Sequence, residues 1–85
     1  MSEPTTLGAV LKRYRLAAGL SQEALAARAA LSARAISDVE RGLHRAPHPD
    51  TLERLAAALG LSSPQRALLL GAARPETQVT AESAP

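Results

Sequence analysis

The stretch ARAALSARAISDVERG, residues 27–42, decides how this chain folds. It holds no glycine or proline before Gly42, and alanine and arginine are among the best helix formers. Local propensity therefore reads it as one helix. Periodicity leaves the matter open, because Leu25, Ala29, Ser32, Ile36 and Val39 would form an acceptable stripe on a continuous helix. Two features favour a break. In a continuous helix Ser32 would lie inside the apolar stripe, whereas its short hydroxyl side chain suits a cap. Leu31 would point about 120° away from that stripe, toward water. A turn at Ala30-Leu31 lets Leu31 pack inward and Ser32 start a second helix.

The flanking sequence supplies further short helices. In TLGAVLKRYRLAAG, residues Leu7, Val10, Leu11, Tyr14 and Ala18 share a helical stripe, and Gly19 stops it as a C-terminal cap. Ser21 is a good N-cap for SQEALAARA, with Leu25 and Ala29 at i, i+4 spacing. Ser32 opens the next helix, with Ile36 and Val39 inward and Gly42 as its stop. Two prolines make LHRAPHP a loop. In PDTLERLAAALG, Leu52, Leu55, Ala56 and Leu59 form a stripe ending at Gly60, and Asp50 and Glu53 have capping-box spacing. Ser63 reads as the N-cap of the last helix, with Pro64 at its first position. The spacing predicts helices at about 6–18, 22–29, 33–41, 50–59 and 64–73. Residues 1–5 read as a disordered end, and the polar, aperiodic residues 74–85 as a disordered tail or linker around one domain at 6–73.

Composition agrees with an all-α fold. Tyr14 is the only aromatic residue and β-branched residues are few, so the core of this 85-residue chain rests on leucine and alanine. Without cysteine there is no disulfide framework and no thiolate chemistry. No apolar run approaches the about 18 residues of a membrane span, and the start of the chain lacks a signal-peptide pattern, so a cytoplasmic protein without membrane contact is expected. No nucleophile–base pairing, phosphate-cradling glycine loop or paired acids emerge, so the reading is not an enzyme and needs no cofactor or small-molecule ligand. His44 and His48 are four apart, but Pro47 and Pro49 put them in a loop, and no metal site is expected. Between Leu7 and Arg74 ten basic residues face five acidic ones, a net +5, which points to a polyanionic partner.

The segment GLSQEALAARAALSARAISDVERG resembles the helix-turn-helix of the phage repressor and Cro family, also called the xenobiotic-response-element family. With Gln22 as the motif's first position, Leu25, Ala26, Leu31, Ile36 and Val39 occupy the family's buried positions, and Ala26 is the small residue where two helices cross. The LSQ-x-x-LA opening, the LS turn and the ERG exit all fall at the family's spacing, and the likeness covers about residues 7–73. One departure is Ala30, where the family usually has glycine because that turn residue takes a positive φ. The resemblance implies a compact five-helix, lambda-repressor-like domain. It implies sequence-specific binding of double-stranded DNA by a bacterial transcriptional regulator, or by its amino-terminal domain, with the third helix in the major groove. A protein-interaction module of the same fold and an autorepressing antitoxin are the alternatives.

With Ile36 taken as the origin of the third helix, Val39 and Glu40 lie within about 60° of it, while Arg34, Ser37, Asp38 and Arg41 face outward. The resemblance implies base contacts from Ala33, Arg34, Ser37 and Asp38, and phosphate contacts from Gln22, Ser32, Arg41, His44 and Arg45. The guanidinium fork of Arg34 matches guanine O6 and N7. Asp38 either orients Arg34 or accepts from a cytosine amino group. Arg15 and Glu40 both fall on apolar stripes, so each needs the other as a structural ion pair, and the family has a similar bridge. Leu68, Leu69 and Leu70 are too widely spread for one face to bury all three, so either one of them is exposed or the outer side meets another subunit. Family repressors dimerise near this region, so the resemblance favours weak homodimerisation through helix 64–73.

Overall fold

The computed structural model describes residues 6–43 and 47–73. Its elements are α1 (Leu7–Ala17), α2 (Gln22–Ala29), α3 (Ala33–Glu40), α4 (Pro49–Leu59) and α5 (Ser63–Ala72), with no strand among the described residues. Residues 27–42 belong to two helices, and the break lies at Ala30. It has φ 61° and ψ 43°, a left-handed conformation that breaks residues 27–42 into α2 and α3. Ser32 then caps α3, its hydroxyl accepting from the Ala35 N–H at 3.0 Å.

Each of α1 to α4 ends in the same device. The residue with positive φ is Gly19, Ala30, Gly42 or Gly60. The N–H of the next residue reaches back across the last turn: Leu20 to the Arg15 carbonyl, Leu31 to Ala26, Leu43 to Asp38, Leu61 to Ala56. This double closure satisfies carbonyls that a helix end leaves free. Three of the four positions hold glycine, which has no Cβ to clash; Ala30 bears that clash.

Three boundaries differ from the sequence reading. Ala18 is exposed, because α1 stops at Ala17 and the chain is already turning toward Gly19. Asp50 and Glu53 form no capping box. The helix begins earlier, at Pro49, whose missing N–H costs nothing in the first turn, and His48 is the cap, its Nδ1 accepting from the Asp50 N–H at 3.0 Å. Glu53 pairs instead with the Arg66 guanidinium, accepting from Nε at 2.8 Å. The last helix is capped by Ser62, with Ser63 inside it. Gln65 lies three residues after Ser62 and closes a true capping box, its Oε1 accepting from the Ser62 N–H at 2.9 Å.

The core takes one side chain from each helix as its centre: Leu11, Leu25, Ile36, Leu55 and Leu69 are the largest fully buried residues. Leu7, Val10, Ala26, Ala29, Val39, Leu52, Ala56 and Ala73 surround them, and Leu31 packs against the cluster. α2 packs on α3 and α4, α1 on α3 and α5, and α4 on α5. Where α1 meets the end of α3, the backbones nearly touch. A Cβ on Gly8 would lie 2.6 Å from the carbonyl oxygens of Val39 and Glu40, so no larger residue fits there without a shift.

Candidate functional site

α2 and α3 form a compact pair joined by three residues, and the pair presents two helix N-termini. Ser21 caps α2, its Oγ accepting from the Ala24 N–H at 3.0 Å, as Ser32 does for α3. Each hydroxyl satisfies one backbone donor, and the other first-turn N–H groups have no acceptor within their helix. Such ends attract anions.

α3 turns Ile36 and Val39 into the core. Its other side is open. Arg34, at the second residue, has a side chain 89% exposed, and its Nε lies 3.9 Å from Asp38 Oδ2. At that distance the pair is loose, and the fork of Arg34 stays in solvent. Asp38 is more confined, at 33% exposure. Ser32 and Arg41 are exposed, and Ser37 is half-buried. Ala33 is half-buried and packs partly on the core, so its methyl is only partly open to solvent. His44 and Arg45 lie outside the described residues.

Behind this face lies a charged group that ties three helices together. The side chains of Arg15 and Glu40 are 10% and 4% exposed. Arg15 Nε donates to Glu40 Oε2 at 2.6 Å, and its NH2 to Oε1 at 3.0 Å. Its remaining NH1 donates to the Leu20 carbonyl at 2.9 Å. This fork-on-fork geometry holds the Arg15 guanidinium above its ordinary, already high pKa; the hydrogen bonds it donates to Glu40 dominate, against the opposing effect of burial. Gln22, at the first residue of α2, joins the group: its Nε2 donates to Glu40 Oε1 at 3.0 Å. No buried side-chain nitrogen or oxygen is left without a partner among the described residues.

The link from Gln22 to Glu40 is absent from the sequence reading. The residues are 18 apart, and only the turn at Ala30 brings the ends of α2 and α3 together. The Arg15 bond to Leu20 likewise depends on the chain reversal at Gly19.

Elsewhere, Arg28, Ala29, Ala30, Arg54, Ala57 and Ala58 line an open cleft between α2 and α4, of about 350 Å³. Arg54 is engaged there with Asp50 at 3.1 Å. Among the described residues no group of three His, Cys, Asp or Glu side chains could hold a metal, and no helix is long and apolar enough to cross a membrane.

A family model described as a helix-turn-helix domain matches residues 6–69. No curated protein and no solved structure matches the chain.

Proposed function

The chain belongs to the helix-turn-helix domain family, and from that premise we propose that it binds double-stranded DNA sequence-specifically, as a bacterial transcriptional regulator or the amino-terminal domain of one. One observation carries the reading. α3 is anchored by one face only, and the opposite face holds Arg34, almost fully exposed at the N-terminal turn that would lead into a major groove. In this reading Arg34 reads guanine, with Ala33, Ser37 and Asp38 beside it at the base edges. Gln22, Ser32 and Arg41 hold phosphates, with His44 and Arg45 following them. The Arg15–Glu40 pair fixes the angle at which α2 and α3 are presented. The role is non-enzymatic and cytoplasmic.

Self-association through α5 belongs to the same proposal. Leu69 is fully buried while its neighbour Leu68 is 46% exposed, so α5 keeps an apolar side chain on its outer face. A weak contact there would pair two protomers on DNA.

Selection of bound sequences from a random duplex pool, followed by titration at several salt concentrations, tests the reading. A defined sequence preference is expected, with affinity falling steeply as salt rises because phosphate neutralisation releases counterions. Recovery of no preferred sequence, or binding indifferent to salt, would refute it.

A further inference from the structure

A free glutamine amide turns about its last torsion and can present either its oxygen or its nitrogen. Gln22 has lost that freedom. Its Nε2 donates to Glu40 Oε1, and a carboxylate can accept only from the nitrogen side. The nitrogen carries a second N–H, which that bond does not use. Glu40 is in turn immobilised by two bonds from Arg15. Arg15 also neutralises it; an uncompensated carboxylate 3.0 Å from the Gln22 amide would repel any anion approaching that amide.

We propose that Glu40, held and neutralised by Arg15, is a positioning residue that sets the Gln22 amide to donate its second N–H to a DNA phosphate. The proposal rests on the DNA-binding reading above and assigns the ion pair a part in it. Ordering the amide before DNA arrives removes a cost otherwise incurred on binding. It also gives the buried pair a role separate from stability.

A double-mutant comparison tests this with the full chain and a labelled mixed-sequence duplex. The backgrounds are wild type and Arg15→Met/Glu40→Met, which removes both charges at similar volume and so retains the fold. Gln22→Ala should weaken binding about tenfold in the wild type, the loss of one charge-assisted hydrogen bond. In the double variant the same substitution should change affinity by less than about twofold, because the amide is no longer set. Equal losses in both backgrounds would overturn the proposal and leave the DNA reading standing. A wild type with no salt-dependent binding would remove the DNA reading and the proposal with it. A second measurement needs no variant. In nitrogen-edited NMR spectra of the wild type, one Gln22 side-chain proton should keep its shift when duplex is added, while the other moves. Two protons moving together, or neither, would overturn the proposal.

Discussion

Replacing Ala30 with glycine should stabilise this protein, against the usual rule for an alanine inside a helix. The residue sits at φ 61°, ψ 43°, where a Cβ crowds the following carbonyl. Relief of that crowding is worth roughly 1–2 kcal/mol. Greater freedom of the unfolded chain takes back about 0.4–1 kcal/mol. Ala30 is exposed, so removing its methyl leaves no core cavity, and its backbone closure onto α2 is unchanged. The balance is a gain centred near about 0.8 kcal/mol, or roughly 3–6 °C for a domain of this size. The fold supplies its own reciprocal control. Gly60 has φ 65°, almost the same conformation, and a Cβ built there meets nothing within 4 Å. Gly60→Ala should therefore lose about what Ala30→Gly gains, through backbone strain alone. Urea titrations followed by circular dichroism measure both. Had residues 27–42 formed one helix, Ala30→Gly would cost about 0.8–1 kcal/mol. A midpoint displaced to lower urea at unchanged m-value would thus refute the turn, and with it the placement of α3.

Other expectations follow from single contacts. Gly8→Ala should destabilise by about 1–3 kcal/mol in the same titration despite alanine's better helix propensity, since its Cβ would meet two backbone carbonyls at 2.6 Å. Arg15→Met or Glu40→Met alone should cost about 3–5 kcal/mol by leaving a buried charge, and the double variant much less; small additive losses would show a solvated pair. Ser62→Ala should lose about 1 kcal/mol and Ser63→Ala far less in thermal melts, because only Ser62 caps α5. Arg34→Ala should lower affinity for a selected site by roughly 1–3 kcal/mol and relax preference at one base pair, as read by footprinting; unchanged preference would remove Arg34 from the base edges.

What the sequence discloses of this fold is mostly what lies close along the chain. The turn at Ala30 is legible without a glycine because Leu31 and Ser32 each have a poor place in a continuous helix. Core positions from Leu7 to Leu55 follow from helical spacing. Caps are harder where adjacent residues compete. Ser62 and Ser63 can both start a helix, and proline is tolerated at either of its first positions, so the register turns on Gln65. His48 belongs to no favoured capping type, so nothing in the sequence marks its Nδ1 as the acceptor for the Asp50 N–H. At the candidate site, periodicity places Arg34 outward and Glu40 inward. It does not disclose that Glu40 also holds Gln22, nor that Gly8 gives α3 its seat. Both depend on approaches between residues far apart in the chain, which local patterns do not encode.

The five side chains at the centre of the core come one from each helix. No helix is therefore an accessory to the others, and α1 to α5 should unfold as one cooperative unit. α5 illustrates this: its outer face is open, yet Leu69 plugs the same core that Ile36 reaches from α3. The orientation of the exposed face of α3 is thus a property of the whole molecule. A change beneath α5, made without touching any residue of α2 or α3, would disturb recognition to the degree that it disturbs the native population.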